Sequence, residues 1–134
     1  MISTLLAVMA QLVTTIYPIT GPARTHDGDT IVIGTTHIRL QGVDAEELTE
    51  PNGFKARDEM RAIIGSKTIT CYPEGKSYDR VVATCFTQDG TDIGAELIRR
   101  GMALDCARYS HGKYRAYEPV GARQRLIQKA YCVP

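Results

Sequence analysis

Two short runs around residue 35 show the clearest pattern along the chain. Thr30–Ile33 and residues 37–41 read as strands about a turn containing Gly34. In the second run Ile38 and Leu40 face one way, while His37, Arg39 and Gln41 face the other. Arg39 therefore projects from the face opposite the apolar pair. Residues 44–53 are polar and turn-rich. Over residues 54–64, Ala56, Met60, Ile63 and Ile64 recur at helical spacing, and Gly65 supplies a stop. Residues 68–72 and 81–87 are β-branched and predict two more strands. Asp92 can cap a short helix that turns Ile93, Leu97 and Ile98 inward and ends at Gly101. Ala122, Leu126 and Ile127 predict a last helix after Pro119, with Lys and Arg on its outer face. Short strands with few helices suit a small barrel better than a doubly wound sheet.

The N-terminal residues follow another pattern. No charged side chain precedes Arg24, and Ile2, Leu5, Leu6, Val8, Met9, Leu12, Val13 and Ile16 form an apolar segment. No Lys or Arg precedes it and no Ala-x-Ala follows. The expectation is a signal peptide or N-terminal anchor over residues 1–21 and one domain over residues 22–134. The alternative is an amphipathic helix packed on the domain. At 134 residues the chain has room for one core, and 43% apolar with 23% charged residues argues against disorder.

Four cysteines stand at positions 71, 85, 106 and 132. No C-x-x-C occurs, which disfavours zinc knuckles and thioredoxin-type redox motifs. An even count behind an export-like segment suggests disulfides, with three possible connectivities. If the strand-like runs holding Cys71 and Cys85 pair as a hairpin, those two are joined, and Cys106–Cys132 ties the C-terminal tail back. Four buried thiols in a cytosolic protein are the alternative.

The formal charge of +1 conceals an uneven distribution. Residues 27–50 carry six acids (Asp27, Asp29, Asp44, Glu46, Glu47, Glu50) against Arg39 alone, whereas residues 106–134 carry six bases against Glu118 alone. Acids that converge repel unless a cation neutralises them or one keeps its proton. Oxygen donors without His or Cys nearby favour a hard cation, Ca²⁺ or Mg²⁺. His26, His37 and His111 show no paired metal spacing. Arg39 and Arg80 beside such a cluster would suit a two-pronged hold on phosphate. The chemistry that needs both is phosphodiester hydrolysis, in which cations neutralise the developing phosphorane charge and a carboxylate positions or deprotonates water.

Three stretches carry a family resemblance. Asp27-Gly28-Asp29-Thr30 with Ile38-Arg39-Leu40-Gln41-Gly42-Val43-Asp44-Ala45-Glu46-Glu47-Leu48 resembles the signature of the staphylococcal nuclease-like (thermonuclease) family. Tyr78-Asp79-Arg80-Val81-Val82-Ala83 is similar to its second motif, and Leu97-Ile98-Arg99-Arg100-Gly101-Met102-Ala103 to the helix-to-glycine segment that follows. The resemblance spans residues 22–129. It implies an α+β fold, a five-stranded OB-type β-barrel with three helices, and Ca²⁺-dependent cleavage of DNA and RNA. By the same resemblance Asp29 and Asp44 are calcium ligands, Ala45 offers its backbone carbonyl, and Asp27 supports the site. Glu47 corresponds to the general base or water-orienting group. Arg39 corresponds to the arginine on the scissile phosphate, and Arg80 to the one stabilising the transition state. Tyr78 and Tyr109 correspond to tyrosines beside the bound nucleotide.

The departures are specific. Glu46 stands where the family usually has Pro, which predicts a less rigid, more acidic loop. Asp79 stands where it usually has Gly, and offers Arg80 an ion pair that would draw it from phosphate. Lys76 and Ser77 replace an acid–base pair. The expectation is a secreted or periplasmic monomer acting on nucleic acid without an obligate protein partner, with membrane anchoring through the N-terminal segment as the alternative. The competing functions are a non-catalytic OB-type nucleic-acid-binding module and an exported accessory protein of an envelope or polysaccharide pathway.

Overall fold

Five strands close on themselves in the computed structural model, which describes residues 17–134. They are β1 (Ile19–Asp27), β2 (Thr30–Ile33), β3 (Thr36–Leu40), β5 (Thr68–Ser77) and β6 (Arg80–Phe86), in the barrel order β1-β2-β3-β6-β5. β3 and β6 run parallel and the other pairs antiparallel. Between β3 and β5 lie β4 (Val43–Asp44) and helix α1 (Gly53–Ile64); the helix and β5 together make the long connection that the parallel β3–β6 pair requires. Helix α2 (Ile93–Arg99) follows β6. β7 (Leu104–Asp105) returns to pair with β4 as a separate two-stranded ribbon. The C-terminal part holds two single turns of helix, α3 (Ala107–Ser110) and α4 (Ala122–Arg125), and 3-10 turns at Arg115–Tyr117 and Ala130–Cys132.

The core follows the periodicities. Ile38 and Leu40 are buried inside the barrel, and Arg39 between them faces out. Helix α1 buries Ala56, Met60, Ile63 and Ile64 on one face. Asp92 caps α2 by accepting from the Gly94 and Ala95 N–H groups at 3.0 and 3.1 Å. Its other oxygen accepts from the buried Tyr114 hydroxyl at 2.6 Å.

Two segments differ from the expectation. β1 begins at Ile19, where the pattern predicts no strand, and its Ile19, Thr20 and Gly21 pair with Cys71, Thr70 and Ile69. Gly21 and Pro22 hide this strand from a propensity reading. Most of the expected leader, residues 1–16, lies outside the described residues. Among those described, no helix is long and apolar enough to cross a membrane.

The last helix is one turn long. Leu126 is already extended, with φ −95° and ψ 147°. Leu126 is buried, but Ile127 is exposed rather than packed beside it. Tertiary contacts with the acidic loop draw the chain away from helical continuation. The disulfides are Cys71–Cys85, across directly paired residues of β5 and β6, and Cys106–Cys132, which fastens the tail.

Candidate active site

The acidic residues are brought together by close backbone approaches. Asp27 and Asp29 flank Gly28 in the tight β1–β2 turn. A Cβ on Gly28 would lie 2.7 Å from Ala45 Cβ and 2.8 Å from Ala56 Cβ, so glycine lets this turn seat on both the acidic loop and α1. Ala45 N–H donates to Asp29 Oδ2 at 2.9 Å, which fixes the loop after β4 against the turn. Gly53 opens α1 directly beneath Glu47: a Cβ there would lie 1.9 Å from the Glu47 carbonyl oxygen.

Glu46 is the loop's anchor. It is buried, and it accepts from Asn52 N–H and Asn52 Nδ2 at 2.9 Å each, and from Ile127 N–H at 3.1 Å. Burial would push its carboxyl up, but these hydrogen bonds and the Arg125 charge outweigh burial and hold it below the ordinary glutamate value. Where the family usually has the ring of a proline, this loop is tied by the hydrogen bonds of Glu46 to Asn52 and Ile127. Asp27 behaves oppositely. Burial, then the Asp29 charge and the side-chain hydrogen bond with Asp29, then Glu47, push it up to about 6, against the lowering pull of the Asp29 N–H it accepts.

The oxygens of this loop face one point, and that point holds the Lys129 ammonium. Lys129 Nζ lies 2.8 Å from Asp44 Oδ1, 2.6 Å from the Ala45 carbonyl, 3.4 Å from Glu47 Oε1 and 3.8 Å from Asp29 Oδ2. The Lys129 N–H also donates to Asp44 Oδ2 at 3.0 Å. The Asp44 side chain is wholly buried, whereas that of Glu47 is 52% exposed at the mouth. Burial alone would lower the ammonium's pKa, but Asp29 and Asp44 outweigh it and hold Lys129 protonated above its ordinary value.

Arg39 stands beside the acids. Its Nη2 lies 3.5 Å from Asp29 Oδ2, and its Nη1 donates to the Leu40 carbonyl at 2.7 Å. Burial lowers the guanidinium's pKa, but Asp29 and the Tyr131 hydroxyl more than offset it. Arg80, at the start of β6, donates to Thr30 Oγ1 at 3.2 Å and to Ser77 Oγ at 3.4 Å. Arg80 is thus held by hydroxyls and not by Asp79. Both arginines line one groove of about 610 Å³, together with Tyr78, Tyr109 and Tyr131. Tyr78 stands 96% exposed at the tip of the β5–β6 turn with φ +57°. Tyr109, on α3, meets Tyr131 edge-on at 6.3 Å between ring centres.

Among the described residues, no three His, Cys, Asp or Glu side chains are gathered as a metal site. The donors around Lys129 Nζ are nevertheless all oxygens, carboxylate and carbonyl, already holding a cationic group. That chemistry fits a hard cation such as calcium.

A family model described as staphylococcal nuclease homologue matches residues 37–130, which include Arg39, Asp44, Glu47, Arg80 and Lys129. The chain belongs to this family. Among curated relatives of this nuclease-like domain is the succinoglycan biosynthesis protein ExoI of Rhizobium meliloti (strain 1021). It is 35% identical over 109 residues, covering 72% of this chain and 57% of that protein. An uncharacterized endonuclease of Escherichia coli is 29% identical over 92 residues, covering 65% of this chain and 60% of the relative. Endonuclease YhcR of Bacillus subtilis (strain 168) is 36% identical over 100 residues, covering 60% of this chain and 8% of the relative. The chain thus spans less than two thirds of the length of each of these relatives.

Two residues at this nuclease-like site escaped the sequence reading. Lys129 counted only as one base of a basic tail, and Tyr131 carried no signal. The one available hint was Cys132: a cysteine near the chain's end promises a fixed tail, though not its destination.

Proposed function

We propose that this protein is a Ca²⁺-dependent nuclease that hydrolyses phosphodiester bonds of DNA, RNA or both. The observation that carries this is the convergence of Asp29, Asp44, the Ala45 carbonyl and Glu47 on one point beside Arg39, which lines one groove with Arg80. Asp29, Asp44 and the Ala45 carbonyl would hold calcium, with Asp27 supporting them. Bound there, calcium would add positive charge against the phosphorane.

The protein's own side chains account for the remaining work. Arg39 and Arg80 present planar forks to the non-bridging oxygens of the scissile phosphate, where charge grows as the transition state forms. Glu47, half-exposed at the mouth, accepts a proton from the attacking water. The water oxygen adds to phosphorus, one ester P–O bond breaks, and the leaving oxygen takes up a proton. Tyr78 and Tyr109 offer aromatic faces to neighbouring bases along the groove.

Two disulfides support action outside the reducing cytosol. The relative named for succinoglycan biosynthesis is compatible with an envelope setting. The test is digestion of plasmid and single-stranded substrates by oxidised protein, with a calcium series and with chelator. Digestion that requires calcium is expected; no digestion at any calcium level overturns the proposal.

A further inference from the structure

The segment from Leu126 to Cys132 crosses the acidic loop as a strap. It is attached at several independent points. Ile127 N–H donates to Glu46 Oε2, Lys129 N–H donates to Asp44 Oδ2, and Cys132 is bonded to Cys106. Gln128 Nε2 donates to the Asp105 carbonyl at 2.9 Å, tying the strap to β7 as well. Between these attachments Lys129 extends its side chain inward, and only 17% of that side chain remains exposed. Tyr131, two residues on, lines the same groove as Arg39.

We propose that Lys129 is a built-in competitor for the divalent cation, delivered by this disulfide-anchored strap, so that ion and ammonium occupy the loop in turn. The proposal rests on calcium binding at the loop. Its geometric ground is overlap. The ammonium nitrogen sits 2.6 Å from the Ala45 carbonyl and 2.8 Å from Asp44 Oδ1. A calcium ion needs the same oxygens at roughly 2.3–2.6 Å. Two cations cannot share that point, and each strongly repels the other.

The strap makes the competition effective. A ligand tethered by a short segment acts at an effective concentration of order millimolar or higher. Calcium must therefore displace an ammonium already paired with Asp44, instead of entering an open site. The lysine stem is flexible enough to swing outward while the backbone attachments and the disulfide persist. Nuclease activity would thus be restrained at low calcium by a residue of the same chain.

The test is calcium titration by calorimetry on oxidised wild type, Lys129→Ala and Lys129→Gln, without nucleic acid, each checked for folding by thermal melting. Both variants are expected to bind calcium at least about tenfold more tightly than wild type. Equal or weaker binding by the folded variants overturns the competitor while leaving calcium dependence intact. No binding by any of the three overturns both.

A second measurement needs no variant. Acylation of wild-type lysines, read by mass spectrometry, should show Lys129 labelled several-fold faster in saturating calcium, with Lys55 and Lys113 unchanged. Lys129 labelling that is indifferent to calcium overturns the proposal.

Discussion

Lys129 and Asp44, 85 residues apart in sequence, meet twice: the ammonium donates to Asp44 Oδ1 and the backbone N–H to Asp44 Oδ2. Both oxygens of a wholly buried carboxylate are thereby satisfied by one residue of the C-terminal strap. An ionised group in such a place is sustained only when it is paired and hydrogen-bonded. The remaining side chains of the site are arranged around this pair, and their energetics lead to separate expectations.

Arg39 bridges Asp29 and the groove. Its replacement by Ala should lower kcat/KM on nucleic acid by about 10²–10³-fold, the scale of losing one preorganised donor at a developing charge. Arg39→Lys should recover little, because a single ammonium cannot reproduce the two-pronged guanidinium contact. Steady-state hydrolysis of a fluorescent oligonucleotide reads this out, and a wild-type rate in Arg39→Ala would remove the assigned role.

Asp27 is raised from 3.8 to about 6, first by burial and then by Asp29. The folded protein holds this proton more tightly than the unfolded chain does. Stability is therefore lost as pH rises from about 4 to about 6, and the penalty is fully present above that window. Asp27→Asn keeps an oxygen to accept the Asp29 N–H and removes the penalty. In calcium-free buffer the variant should be more stable than wild type by about 1–3 kcal/mol at pH 7, with little difference near pH 4. Denaturant titrations at the two pH values measure this.

Gly53 touches the Glu47 backbone where a side chain has no room. Gly53→Ala should destabilise the fold by about 1–3 kcal/mol and displace Glu47. Gly75, in the exposed half of β5, has nothing within 4 Å of a built Cβ. Gly75→Ala should be neutral or slightly stabilising, within about 1 kcal/mol. Urea unfolding of the two variants gives the contrast.

The Cys106–Cys132 bond closes a separation of 26 residues and holds the strap. Its loss in Cys106→Ala/Cys132→Ala should cost about 3–4 kcal/mol by loop closure. Hydrogen exchange should rise most at the Ile127 and Lys129 amides, whose acceptors are Glu46 and Asp44. Uniform exchange across the barrel instead would show that the bond stabilises the whole fold rather than the strap.

Much of this molecule is written in local pattern. The alternation at Ile38, Arg39 and Leu40 dictated which side chain faces out. The spacing of Ala56, Met60, Ile63 and Ile64 dictated the buried face of α1, and Asp92 dictated where α2 begins. These features depend on periods of two and 3.6 residues and on cap chemistry, all of which act within a few residues. The clustering of acids near one arginine was also visible, together with the family motifs that contain it.

Tertiary structure alone decided the rest. β1 contains Gly21 and Pro22 and is a strand because β2 and β5 flank it. The helix expected through Ile127 stops after one turn because Glu46 and Asp44 capture the backbone beyond it. Glu46 could be counted as a charge from the sequence, but its partners Asn52 and Ile127 became known only once the chain had closed. Lys129 could be counted as a base, yet nothing local distinguishes it from Lys113. Its partners lie more than 80 residues upstream, and barrel closure with the Cys106–Cys132 bond brings them within hydrogen-bonding reach.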